Sequence, residues 1–291
     1  MNGLPIELAL QPQIDAALAR LRQGSGAQCL SDFAFSNIFL FRHVHDYRFL
    51  PGEWPCVAGC TYDGAAHLMP LFDLACAPAP VLASMLVEHE AFYPVAQSGM
   101  AALDPVQFAG SQSVADADYV YRAASFVDYP GRPLASKRNQ VRQFLGAHVP
   151  SCQPFDAGLV DAAHTVLREW MAQKGKAAGE ADDVACTEAL AHAQRFQLEG
   201  YVHFEHGRPI GFVLAQELQP GVFVMRFAKG LDSHVGVYPY MFQHFCRSFP
   251  RPVQWLNFEQ DMGLTGFRRS KASYRPDALL RKWRVRLRPR R

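Results

Sequence analysis

The 291-residue chain lacks any uninterrupted apolar run that could cross a bilayer, which takes roughly 20 consecutive apolar residues. Its longest candidate, residues 68–87, is broken by Pro70, Asp73, Pro78 and Pro80. A basic amino-terminal segment leading into an apolar core is also missing, so no secretory signal is expected and the cytoplasm is the expected compartment. The seven cysteines (29, 56, 60, 76, 152, 186, 246) are odd in number and scattered. Cys56 and Cys60 form the only close pair, and no second pair or matching histidine spacing completes a zinc site. Free buried thiols in a reducing compartment, with no metal, are therefore expected. No G-x-S-x-G signature occurs, which removes one common route to a serine nucleophile. A charge excess is absent too: 29 Lys and Arg balance 27 Asp and Glu, and 49% of the residues are apolar. Such a composition argues against disorder and suits one large domain or two small ones.

The balance conceals an asymmetry. Residues 1–120 carry 4 basic against 12 acidic side chains, a net of −8, and residues 121–291 carry 25 against 15, a net of +10. A basic half can meet an anionic partner such as tRNA, coenzyme A or a lipid headgroup, or the two halves can simply attract each other.

Apolar spacing predicts a helix opening at Pro12 and a second segment capped by Ser31 or Asp32. A hairpin is expected over Cys56–Phe72 with its turn at Asp63-Gly64, and a helix over Val81–Phe92. Residues 104–118 read as loop, Tyr119–Ala123 as a strand and Ser136–Ala147 as a helix. Val149-Pro150-Ser151 is the expected boundary between an amino-terminal half, 1–150, and a carboxy-terminal half, 151–291. The second half predicts helices over 156–174 and 184–195, then strands at Gly200–Glu205 and Pro209–Glu217 hinged at His206-Gly207. A strand over Val222–Ala228, a helix over 236–249 and a strand over Val253–Asn257 follow. A helix over 263–271 then leads to a last strand in which Trp283, Val285 and Leu287 alternate with arginines, read as a charged, solvated edge.

This order of elements is that of the GNAT acetyltransferase fold, so the expected class is α/β (α+β) with two GNAT-like halves, each a mixed sheet flanked by helices. Three segments sharpen the likeness. Tyr119-Val120-Tyr121 precedes Gly131-Arg132, Ser136-Lys137-Arg138-Asn139 and Phe144. Phe227-Ala228-Lys229 leads to Gly236-Val237-Tyr238. Asn257-Phe258-Glu259-Gln260-Asp261-Met262-Gly263-Leu264 is followed by Gly266-Phe267-Arg268 and Lys271-Ala272-Ser273-Tyr274-Arg275-Pro276. Together they resemble the phosphatidylglycerol lysyltransferase C-terminal domain family, related to the Fem-type aminoacyltransferases, over nearly the whole chain. The resemblance implies transfer of an activated acyl group without a bound cofactor or covalent enzyme intermediate, in the best-known members an aminoacyl group carried by tRNA. Its multi-span membrane region has no counterpart here, so the acceptor is left open among a small molecule, a lipid headgroup and a peptide.

Acyl transfer requires deprotonation of the acceptor, stabilisation of an oxyanion and a firm hold on the donor. Asn257, Glu259 and Asp261 follow a strand and share one face of an extended backbone. Glu259 or Asp261 is then a candidate base, unless Asp261 caps the next helix and Asn257 locks a turn. Arg268 and Lys271 share a helix face and suit a donor phosphate or the oxyanion. Lys137, Arg138 and Asn139 lie in the first turns of a helix, where cations oppose the helix dipole and suggest a bound anion such as a tRNA acceptor end. The roles of Lys271 as a catalytic residue, and of Lys229 and Tyr274 in binding, rest on the resemblance. The donor is an aminoacyl-tRNA or an acyl-CoA, although Gly230 and Gly236 stand six apart and lack the close glycine pair of a coenzyme A loop. His234 in that loop reads as exposed, and His43 and His45 as structural. A non-catalytic module binding RNA or lipid headgroups remains the alternative from another class.

Overall fold

A computed structural model describes residues 3–289; Arg290 and Arg291 lie outside the described residues. The chain forms two compact units that are not consecutive halves. The first comprises residues to Asp118, Gln260–Thr265 and the chain from Leu279; the second comprises Tyr119–Glu259 and Gly266–Ala278. The break thus falls at 118/119. Residues 150–154, where a boundary was expected, form a strand inside the second unit.

In the first unit β1 (Leu4–Pro5), β2 (Arg48–Leu50), β3 (Cys56–Cys60), β4 (Ala66–Pro70), β5 (Ala91–Val95) and β6 (Phe108–Gln112) are joined by β14 (Trp283–Leu287). Their order is β1-β2-β3-β4-β5-β14-β6, with β4 and β5 parallel. The β3–β4 hairpin forms as expected, and Gly64 takes the positive φ of +84° that its turn demands. The helix expected over Val81–Phe92 is instead Ala79–Met85 followed by β5. Every residue of β5 is buried, so it carries no alternation to distinguish it from a buried helix, and Pro94 bars a helix interior. The expected loop 104–118 likewise contains β6.

The largest departure concerns β14. Its alternating arginines suggested a solvated edge, yet it lies between β5 and β6, antiparallel to both. Arg284 is buried, with its guanidinium on Asp116 at 3.0 Å and Asp63 at 2.7 Å. The Lys282 side chain is fully enclosed; its ammonium lies 2.5 Å from Asp32, 2.7 Å from Asp118 and 2.6 Å from the Gln260 amide oxygen. Asp118 also accepts hydrogen bonds from the Ser31 N–H and hydroxyl. Asp32 is therefore no helix cap: the helix Phe35–Leu40 has Ala34 at its N-cap, without a side-chain bond. Burial opposes the charge on Lys282, but Asp118 and Asp32 outweigh it and hold its pKa above the usual lysine value.

In the second unit β7 (Asp118–Arg122), β8 (Pro150–Pro154), β9 (Leu198–Glu205), β10 (Arg208–Gln219), β11 (Val222–Gly230), β12 (Trp255–Asn257) and β13 (Ala278–Leu280) are ordered β13-β7-β12-β11-β10-β9-β8. The pair β11–β12 is parallel, while β7–β12 and the run β11-β10-β9-β8 are antiparallel. His206-Gly207 makes the expected tight turn, with φ of +48° and +80°. The helices Ala135–Ala147 and Val237–Ser248 pack through Phe144 and Tyr240, whose rings are 4.8 Å apart. Gly236 permits this approach: its φ is +93°, and a Cβ there would sit 2.4 Å from the Gln140 carbonyl oxygen.

Two outcomes follow. Lys282→Met leaves two buried carboxylates without their counter-ion and is expected to cost about 3–5 kcal/mol, read from urea unfolding. His67, buried with neither ring nitrogen hydrogen-bonded among the described residues, is depressed from 6.5 to about 3 by burial and by His45. A depressed folded pKa contributes stability in full above about pH 6.5 and loses it as the pH falls towards 3. Wild type should therefore lose about 1.4 kcal/mol per pH unit in that window relative to His67→Leu, measured by urea midpoints at several pH values.

Candidate active site

The parallel strands β11 and β12 pair over three positions only, Val222↔Trp255, Phe223↔Leu256 and Val224↔Asn257. Beyond them β11 continues with β10 as far as Gly230. The chain after β12 stays with β7: the Phe258 N–H donates to the Tyr119 carbonyl at 2.9 Å and the Tyr119 N–H to that of Glu259 at 3.3 Å. Two strands that start parallel and follow different partners must open a wedge. Its mouth is spanned by an ion pair, Arg226 on β11 to Glu259 at 2.5 Å. The guanidinium also donates to the Gln216 side-chain oxygen on β10 at 3.1 and 3.3 Å. The Arg226 side chain is 2% exposed and that of Glu259 23%, so the carboxylate faces the mouth and the cation lies behind it.

Glu259 sits in the left-handed backbone region, with φ of +57°. A non-glycine residue there stores roughly 1–3 kcal/mol, so the turn needs holding. Asn257 accepts the Glu259 N–H on its side-chain oxygen at 2.7 Å, and the Lys271 ammonium donates to the Glu259 carbonyl at 3.2 Å. Lys271 also lies 5.9 and 5.8 Å from the ring centres of Tyr119 and Phe267, and its carbonyl accepts the Tyr121 hydroxyl. Both side chains thus fix the geometry of Glu259.

Deeper in the unit the rings of Phe126, Phe242, Phe258 and Tyr274 pack together, with Tyr274 stacked on Phe126 at 5.4 Å. Tyr274 is buried in this cluster, which leaves it as wall, not as an exposed binding group. Lys137 lies over its ring, the ammonium 3.9 Å from the centroid. No described carboxylate pairs with Lys137, which is half-buried and whose pKa is lowered by burial.

The other expected site residues are placed differently. Lys229 is buried, bound to Asp182 at 2.5 Å and lying 4.0 Å over the Trp170 ring, so its charge is already answered. Asp261 is fully buried in the first unit, where its carboxylate accepts the Gly263 N–H and locks a turn. That placement removes it as an accessible base. Arg138 donates to the Tyr129 and Gly131 carbonyls and lines an open cleft of about 540 Å³ with Arg142, Arg247, Gln243 and Asp128. Asn139 and Arg268 are exposed on their helices. His234, expected to be exposed, is only 11% so in its side chain and binds Glu205 at 3.0 Å. In its loop the Asp232, His234 and Val237 N–H groups are taken by Gln173, Leu231 and His234, which leaves a poor phosphate cradle.

Residues 27–286 match the family described as phosphatidylglycerol lysyltransferase, C-terminal. The chain belongs to this family. A conserved protein of unknown function from Bacteroides thetaiotaomicron is similar with a TM-score of 0.81 and 20% identity, over 99% of this chain and 100% of that one. L-PGS from Bacillus licheniformis follows at 0.63 and 12%, over 100% and 95%, and FemX at 0.57 and 8%, over 96% of each chain. None of the curated proteins matches. At these identities the structural likeness establishes the fold: an acyltransferase-type α+β architecture of two mixed sheets flanked by helices, as expected. Among the described residues no helix is long and apolar enough to cross a membrane.

Sequence reasoning missed Arg226. The signal was present as a lone cation inside the apolar strand Val222-Phe223-Val224-Met225-Arg226-Phe227-Ala228, where burial requires a partner. A double-mutant cycle of Arg226→Met with Glu259→Gln should give a coupling of roughly 0.5–3 kcal/mol in urea unfolding. Additive effects would mean that the pair does not form in solution.

Proposed function

We propose that the second unit transfers an activated acyl group, carried as an aminoacyl ester, to an amine or hydroxyl acceptor at the mouth of the β11–β12 wedge. The observation that carries this reading is Glu259: a partly exposed carboxylate, held in a strained backbone conformation, at the point where two parallel strands part. Its carboxylate first accepts a hydrogen bond from the acceptor N–H or O–H. As the new bond to the ester carbonyl carbon forms, Glu259 takes the acceptor's proton. The tetrahedral intermediate then collapses with loss of the donor's C–O bond, and the proton passes to the departing hydroxyl. Asn257 and Lys271 position Glu259, and Lys137 holds an anionic group of the donor.

The basic cleft supports a polyanionic donor. Arg138, Arg142 and Arg247 line it against one carboxylate, Asp128, which Arg247 already binds. Arg268 and Asn139, exposed in the same unit, extend the polar surface available to such a donor. The occupied N–H groups of the loop before Val237 weigh against the pyrophosphate of coenzyme A, and so favour tRNA over acyl-CoA.

The test is single-turnover transfer from labelled aminoacyl-tRNA, and separately from acetyl-CoA with thiol release, to a panel of amines. With aminoacyl-tRNA as donor, Glu259→Gln should slow turnover by about 100-fold or more without lowering Tm. Lys137→Ala should raise the donor KM and flatten its salt dependence. Thiol release from acetyl-CoA alone would replace the donor. Tight ligand binding unchanged by Glu259→Gln, with no turnover from either donor, would establish the non-catalytic binding module instead.

A further inference from the structure

A second cluster of reactive side chains in the same unit lies away from the wedge, at the outer edge of the sheet. Cys152 on the edge strand β8 stands directly opposite His203 on β9. The helix Val237–Ser248 lays Tyr240 and His244, one turn apart and hence on one face, over that pair. Cys152 Sγ is 3.1 Å from His203 Nδ1 and 3.3 Å from the Tyr240 hydroxyl, and the His203 and His244 ring centres are 5.2 Å apart. One donor atom from each of Cys152, His203 and His244 lies within 4.8 Å of the others.

Hydrogen bonding leaves part of this cluster unexplained. His203 is completely buried, and its Nε2 has no partner among the described residues; His244 Nδ1 is likewise buried without one. An unpaired buried imidazole nitrogen forfeits its bond to water, a loss of about 1–3 kcal/mol. The neighbouring group His148, Glu205 and His234 differs, because its carboxylate hydrogen-bonds both rings and accounts for itself.

We propose that Cys152, His203 and His244 form a binding site for a divalent transition-metal ion of zinc type. One thiolate and two neutral imidazoles are a donor set that zinc favours, and tetrahedral zinc spaces its donors roughly 3.5 Å apart, within reach of small side-chain rotations here. The Tyr240 hydroxyl stands beside the sulfur as fourth donor or outer-sphere partner. Cys152 and His244 are each partly exposed, which gives an ion its path inward. On binding, the Cys152 S–H bond breaks, a sulfur–metal bond forms and one proton leaves to solvent. The ion would clamp the edge strand β8 to β9 and to the helix above it, independently of the chemistry at Glu259.

The test is titration of the full-length, metal-stripped protein with Zn²⁺ and, as a spectroscopic probe, Co²⁺. One equivalent should bind with release of a proton, and Co²⁺ should give a near-ultraviolet sulfur-to-cobalt charge-transfer band. Cys152→Ala should abolish the band, and His244→Gln should weaken Zn²⁺ binding by about 10- to 100-fold or more, the loss typical of outer-sphere partners serving as a floor. Glu205→Gln should leave the band intact. A cobalt spectrum without the sulfur band, or one unchanged by Cys152→Ala, would overturn the assignment. So would a stoichiometry near zero in protein shown to be folded by its far-ultraviolet spectrum. None of these readouts depends on transferase activity.

Discussion

The first unit depends on a lysine cut off from water. Lys282 reaches the interior only because Asp32, Asp118 and Gln260 meet it there, and those partners come from three separated stretches of chain. A buried ammonium without them would lose several kcal/mol of hydration with nothing to replace it. The cluster therefore specifies more than it stabilises: it fixes the segment before β14, and β14 then enters between β5 and β6 in one register. A strand slipped by one residue would turn Val285 outward and aim its charged neighbours into the apolar core. Arg284, seated on Asp116 and Asp63, makes the same demand one turn of the pleat further on.

The second unit has an analogous constraint at its wedge. A parallel pair that keeps its ladder is a closed surface, whereas one that abandons it after three positions exposes backbone and creates a place for a ligand. What keeps the opening from collapsing is the ion pair across it. Arg226 is anchored from behind by Gln216, and Glu259 is pinned through its own N–H and carbonyl by Asn257 and Lys271. The strain at Glu259 is offset because its N–H, its carbonyl and its carboxylate are each bonded, and the result is a carboxylate whose position is set before any ligand arrives.

Much of this was legible in the sequence. Helices with a wet face and hairpins with glycine turns announce themselves through periodicity and turn chemistry, and the elements expected between residues 156 and 271 occur in the expected order. The signal fails where burial is complete on both faces: β5 lost its alternation, so the expected helix ran on into its first two residues, and β6 was hidden in a polar stretch. It also fails for charges, because sequence shows a charge but not its partner. The arginines of β14 read as a solvated edge for that reason, and the chain's return to the first unit at Leu279 left no local mark. Of the residues singled out around Glu259, Asn257 and Lys271 do converge on it, by holding its backbone. Cys152, His203 and His244, each more than forty residues from the next, offer no spacing that could be read.

Charge pairing gives the sharper way to separate structure from function here. Lys282, Arg284, Arg226 and Lys229 are all buried, and each faces a carboxylate, so the fold already accounts for them. Lys137 differs from these four: it is half-buried on an aromatic ring, with its ammonium made less favourable by burial and no described acid to relieve it. A cation kept under those conditions costs stability that packing alone does not recover. The proposed function gives a reason to retain it, an anionic group of the donor, and Arg138 and Arg142 of the same helix line the basic cleft. In the proposed reaction the asymmetry between Arg226, which is paired with Glu259, and Lys137, which has no described acid, divides the labour: one cation positions the base and the other takes an anionic group of the donor.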